Sequence, residues 1–151
     1  MTGSLQSLLM KAKPFLGHEL ASFPWRVEEG QITQFRNSLL VDGADFISKR
    51  EIPLTYSMSM NLWGIPHLQL LKNIGLDTNY LVHGEQSFEL IKPLLVGHSY
   101  IISQILSDLL LKRSSKFGHM LLLTIQSVIS DSQGTIVIRQ NHTSIQLGKN
   151  E

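Results

Sequence analysis

The sequence predicts an α+β fold in which a long antiparallel sheet wraps around a central apolar helix. Three observations carry this. In the first part of the chain, apolar residues recur every three to four positions, the helical period. From Leu81 the period drops to two and stays there almost to the C-terminus. Between the two lies a stretch around Tyr56, Met58, Met60, Leu62 and Trp63 that is nearly all apolar, and a helix with no polar face is usually buried. One buried helix against a long antiparallel sheet is an α+β layering.

Taken in order, residues 3–13 predict a short helix that ends before Pro14. Residues 15–25 read as loop followed by a short strand. Residues 28–40 predict an amphipathic helix, with Ile32, Phe35 and Leu39 on one face and Glu28 and Glu29 at its positively polarised start. Val41-Asp42-Gly43-Ala44-Asp45 reads as a turn. Pro53 opens the apolar helix, and Pro66 is expected to break or kink it by removing a hydrogen bond and clashing with the preceding turn. A second helical piece covers residues 66–73, capped by Gly75. Along the strand from Leu81, alternation places Val82, Gln86, Phe88 and Leu90 on one face and His83, Glu85 and Glu89 on the other. Further strands are predicted at residues 99–111, 119–130 and 135–147, with turns at Val96-Gly97, at 114–118 and at 131–134. Short turns between long strands predict an antiparallel meander.

A length of 151 residues fits one domain spanning residues 1–151, with residues 1–16 expected as a loosely attached segment. Charged residues make up only 17%, which leaves surface for a partner to cover. The formal charge is +1 with no basic block, which argues against nucleic acid as a partner. The absence of cysteine rules out a disulfide, a thiolate nucleophile and a thiolate metal site. Gln104 and Asp108 interrupt the most apolar run, so no membrane span is expected, and no signal-peptide layout is seen. A cytoplasmic protein is the expectation. No Gly-rich phosphate loop precedes a helix and no Gly-x-Ser-x-Gly elbow occurs, which sets aside nucleotide-dependent and serine-hydrolase chemistry.

The run Leu81-Val82-His83-Gly84-Glu85-Gln86-Ser87-Phe88-Glu89, followed by Pro93 and Val96-Gly97, resembles the FAS1-like dehydratase, or MaoC-like N-terminal, domain of the hot-dog superfamily. There a Leu-His-Gly-Glu-Gln strand precedes an aromatic and a Pro-Leu-x-x-Gly turn. Residues 22–40 look like the family's opening strand and helix. Pro53-Leu54-Thr55-Tyr56 looks like its entry into the central helix, and residues 131–143 resemble its closing hairpin. The resemblance implies a hot-dog fold and a substrate class, acyl thioesters of coenzyme A or acyl carrier protein. It implies hydration of an enoyl thioester or dehydration of the 3-hydroxyacyl form, as a homodimer or as a heterodimer with a catalytic hot-dog subunit. It implies no cofactor.

That chemistry needs a proton-moving acid or base and a donor that polarises the thioester carbonyl. In the related (R)-specific hydratases the pair is an Asp and a His five positions later. Here Asp42, Asp45, Asp77, Asp108 and Asp131 are followed at that spacing by Ile47, Arg50, Val82, Arg113 and Ile136, so the dyad is absent. A relocated dyad, catalysis by a partner chain, and loss of catalysis all remain open.

His83 and Glu85 are the local candidates for catalysis, because alternation puts them on one strand face; the alternative is a polar pair that fixes packing. Asp77 either orients His83 or caps a turn. Pro53, Thr55 and Tyr56 either present N–H groups to the carbonyl or simply start a helix. Tyr56, Met60 and Trp63, with Met58, line an acyl tunnel or fill the core, and Gly84 lies beside the substrate. His18, His67, His98, His119 and His142 lack metal-ligand spacing and read as surface or turn residues, so no metal is expected. Lys112, Arg113 and Lys116 crowd one hairpin, either to meet phosphates or as a solvated tip. A non-catalytic acyl-thioester binding or assembly protein is the alternative function. A hot-dog thioesterase ranks below both, since the central helix offers only Asn61.

Overall fold

The structure is a computed structural model that describes residues 4–39, 52–62 and 64–148; the 41–45 turn and Trp63 lie outside the described residues. Five strands form one antiparallel sheet: β1 (Glu19–Arg26), β2 (Leu81–Leu90), β3 (Ser99–Ser114), β4 (Gly118–Ser130) and β5 (Ile136–Leu147). The helices are α1 (Leu5–Ala12), α2 (Glu29–Ser38) and α3 (His67–Asn73), with a 3-10 helix at Leu54–Leu62. The α+β class is as the sequence predicts.

The strand order is β1-β3-β4-β5-β2. Only β3, β4 and β5 form the predicted meander. β2 does not pair with β3, its successor in sequence, because β1 already occupies that edge, with Trp25 opposite Tyr100. β2 pairs instead with β5, from Leu81 opposite Gln146 to Leu90 opposite Ile138. It therefore forms one open edge of the sheet.

The Leu54–Leu62 segment is helical, as expected, but wound with three residues per turn. Its hydroxyls compete with the backbone: Ser57 Oγ donates to the Leu54 carbonyl at 2.9 Å. The tighter winding stacks Leu54, Ser57 and Met60 along one edge, with Ser57 and Met60 buried, and leaves Leu62 81% exposed. This segment runs to Leu62, Gly64 and Ile65 form a bend, and Pro66 stands at the N-cap of α3. Gly75, at φ +95°, turns the chain after α3, a conformation that favours glycine.

Two apolar clusters share the sheet face under the helices. One gathers Trp25, Ile32, Tyr56, Met60, Tyr100, Ile102, Ile129 and Ile138. The other gathers Leu8, Ala12, Leu70, Leu71, Leu106, Leu121, Leu123 and Ile125. Each fully buried Leu or Ile contributes roughly 1.5–3 kcal/mol. The N-terminal segment expected to be loosely attached thus places Leu8 and Ala12 in the second cluster, and Gly17 N–H donates to Leu106 O at 2.8 Å.

Between the clusters runs a buried polar row. Gln104 on β3 stands opposite Ser127 on β4, and Ser127 opposite Gln140 on β5. Gln104 Nε2 reaches Asn61 Oδ1 at 3.2 Å and Ser127 Oγ at 3.3 Å, and Ser57 Oγ, whose single hydrogen is shared with the Leu54 carbonyl, lies 2.8 Å from Gln140 Oε1. These bonds satisfy groups that would be costly to bury alone, though Gln104 Oε1 is left without a partner. They also fix the 3-10 helix in register over the middle of the sheet.

Candidate functional site

The next inner-face positions along β5 after Gln140 are His142 and Ser144. In the β2 register Gln86 faces His142, and His83 faces Ser144. Directly opposed residues of an antiparallel pair project to the same side. The two strands therefore bring His83, Gln86, His142 and Ser144 together on the helix-covered face at the open edge of the sheet.

The register slips between His83 and Glu85, a β-bulge at Gly84. Glu85 consequently stands opposite Thr143 on the outer face, in line with Ser87 opposite Asn141 and Glu89 opposite Arg139. The expectation that His83 and Glu85 share a face is corrected here. One extra residue in the strand reverses the alternation, placing His83 with Gln86, Phe88 and Leu90, and Val82 with Glu85. Glycine fits the bulge closely: a Cβ at Gly84 would stand 3.0 Å from Ile145 Cγ1 and 3.1 Å from Thr143 O.

α3 supplies the remaining member. Its buried Leu70 and Leu71 anchor the helix, and His67, one turn earlier, lies on the same side. His67 Nε2 is 3.1 Å from Ser144 Oγ. The His67 and His142 ring centroids are 4.0 Å apart, and those of His83 and His142 4.7 Å apart at 90°. His142 Nδ1 lies 2.9 Å from Gln86 Oε1. Burial, and then the neighbouring His83, push His67 down from 6.5 to about 4. Burial, then His67 and His83, push His142 down to about 4. Both rings are therefore neutral at pH 7. His83 is exposed, at the mouth of the group.

His67 and His142 are thus not the surface or turn residues expected; both are partly buried and in contact. Two signals in the sequence pointed to them. His142 is in phase with Gln140, Ser144 and Gln146, and His67 precedes Leu70 and Leu71 at helical spacing. His18, His98 and His119 are exposed. Among the described residues, no group of three or more His, Cys, Asp or Glu side chains is arranged to hold a metal ion.

Asp77 caps a short 3-10 turn: its carboxylate accepts from Asn79 N–H at 3.1 Å, while its own N–H donates to Gln146 Oε1 at 3.0 Å. It lines an open cleft of about 1070 Å³ between α1, the turn after α3 and the β3–β4 hairpin. None of the three clustered histidines lines that cleft. Tyr56 and Met60 are buried in the first core cluster, Pro53 is half-buried and Thr55 exposed. The Lys112, Arg113 and Lys116 side chains are exposed at the β3–β4 hairpin.

Fold and sequence now identify the family. The model of the FAS1-like dehydratase domain region matches residues 14–140, and the chain belongs to that family. Solved structures resemble it at low identity. A chain of the HadBC (3R-hydroxyacyl-ACP dehydratase) complex from Mycobacterium tuberculosis superposes with a TM-score of 0.62 at 16% identity, covering 86% of this chain and 99% of that one. A chain of the ChsH1-ChsH2 complex from Mycobacterium tuberculosis gives 0.66 at 12% identity, covering 97% and 94%. A protein described as a MaoC-like dehydratase gives 0.72 at 15% identity over 91% of this chain, which spans only 44% of that one. These likenesses establish the hot-dog fold. A search of curated proteins returned no significant match. Among the described residues, no helix is long and apolar enough to cross a membrane.

Proposed function

We propose that this chain is the acyl-binding subunit of a hydratase or dehydratase acting on acyl thioesters of coenzyme A or acyl carrier protein. Family membership supplies the substrate class. The observation that carries the reading to this chain is the position of His83. It lies on the strand that bears the family's His-Gly-Glu-Gln run, exposed on the inner face and packed at 4.7 Å against a neutral His142. His83 meets the thioester end of the substrate, with Gly84 beside it. Pro53 and Thr55, at the start of the 3-10 helix, form the facing wall. Tyr56 and Met60 serve the core. The reaction requires no cofactor.

A second hot-dog chain, identical or different, completes the assembly along the β2 edge, which has no partner strand beyond β5 among the described residues. The similarity to chains from two complexes supports this. The cytoplasm is the proposed location. The missing Asp-x-x-x-x-His spacing favours one alternative, a thioester-binding protein without chemistry of its own.

The test is hydration of crotonyl-coenzyme A by the purified chain, followed as loss of the enoyl thioester absorbance. Turnover supports the enzyme. Binding without turnover leaves the subunit of a two-chain enzyme and the non-catalytic alternative, which addition of a catalytic hot-dog partner chain then separates. Failure to bind any enoyl thioester sinks both.

A further inference from the structure

We propose that His142, held by Gln86, is the proton-accepting residue of this site and that His83 beside it is the proton donor, a relocated pair in place of the absent Asp–His dyad. This assignment rests on the acyl-thioester reading above.

The Gln86 carboxamide has two ends with different roles. Its Oε1 lies 2.9 Å from His142 Nδ1. We assign the hydrogen to Nδ1, the tautomer in which the Gln86 carbonyl oxygen accepts, which leaves the lone pair of the neutral ring on Nε2. The other end, Gln86 Nε2, is buried and has no hydrogen-bond partner. Trp25 Nε1 and Gln104 Oε1 are also buried without a partner, but Gln86 differs from them in contacting His142, so the acceptor its free donor lacks would stand at the histidine cluster. A thioester carbonyl is such an acceptor, and a donor aimed at it stabilises the charge that develops there. The pair needs no carboxylate. Glu85 and Glu89 stand on the outer face and Asp77 caps its own turn, so His67 and His83 are the titratable groups seen packed against His142. His67 is itself tied to Ser144 at 3.1 Å and closes the α3 side of the cluster.

In hydration, the water oxygen bonds to the β-carbon of the enoyl thioester as the water O–H breaks and its proton passes to His142 Nε2. His83 delivers a proton to the α-carbon. The proton gained by His142 then returns to His83 through solvent at the exposed edge. The sum is addition of one water across the double bond, and dehydration is the reverse.

The experiment uses the full chain, labelled with nitrogen-15, together with the variants His142→Gln, Gln86→Leu and Gln86→Glu. Long-range proton–nitrogen spectra at pH 7 are expected to show His142 protonated on Nδ1 in the wild type and in Gln86→Glu, and on Nε2 to a large extent in Gln86→Leu. Hydration of crotonyl-coenzyme A is expected to fall by about 100-fold or more in His142→Gln, the usual contribution of a general base, with its affinity for crotonyl-coenzyme A kept within a few-fold. Gln86→Glu is expected to retain more activity than Gln86→Leu. An Nε2-protonated His142 in the wild type, or a folded His142→Gln with wild-type turnover, overturns this assignment alone. Crotonyl-coenzyme A bound but not turned over by the wild type overturns it while leaving thioester binding in place. No binding by the wild type overturns the substrate reading and this assignment with it.

Discussion

His67 on α3 and His142 on β5 pack ring against ring, with centroids 4.0 Å apart, where a helix start crosses the inner face of the sheet. Both are pushed down to about 4, burial being the larger cause. In the unfolded chain each would titrate near the ordinary histidine value of about 6.5. Between those values the unfolded state binds more protons than the folded state, so stability rises with pH. Stability is thus complete above about pH 6.5, falls as the pH drops toward 4 and levels off below. Urea unfolding across that range is expected to show uptake of about one proton per histidine on unfolding. The double variant His67→Gln/His142→Gln flattens the profile. An equally steep profile in that variant would assign the effect to other groups.

Gly84 holds the bulge that turns His83 inward. A Cβ there meets Ile145 and the Thr143 carbonyl at 3.0–3.1 Å. Gly84→Val is expected to cost about 1–3 kcal/mol in denaturant unfolding, the usual penalty of overpacking. A variant as stable as the parent would show that the strand relaxes freely at this point.

His83 and Glu85 separate a site residue from a surface one. His83→Ala is expected to impair turnover or ligand binding without loss of fold, while Glu85→Ala, on the outer face, leaves both unchanged. Equal losses in the two variants, with circular dichroism unaltered, would mean that the bulge does not divide their roles.

Tyr56 tests packing against hydrogen bonding in the first core cluster. Its ring lies 5.7 Å from Trp25 and 5.5 Å from Phe35, and its hydroxyl donates to Gln31 Oε1 at 3.2 Å. Tyr56→Phe is expected to cost about 0.5–1.5 kcal/mol and Tyr56→Ala, which opens a cavity, about 3–5 kcal/mol. Similar losses in the two would place the stabilisation in the hydroxyl.

Arg139 and Glu89 pair at 2.9 Å on the outer face, both partly solvated. Arg139→Ala is expected to change stability by less than about 1 kcal/mol, as exposed pairs generally do. A larger loss at low salt that persists at high salt would point to lost packing of the arginine stem rather than lost charge.

The sequence by itself determined the element types, the α+β class and the family. Helical period, alternation and proline or glycine punctuation act over a few residues, and the Leu81–Leu90 run carries its resemblance within one strand. Tertiary structure decided which strands pair, since β2 lies against β5 while β1 covers the free side of β3. It also decided which face His83 takes, because one unpaired residue at Gly84 inverts an alternation that reads the other way in the sequence. The candidate site was half legible for the same reason. His83 stood in a recognisable motif, whereas His67 and His142 acquire their meaning from each other, through a contact between a helix and a strand remote in sequence and through a burial that no local pattern encodes.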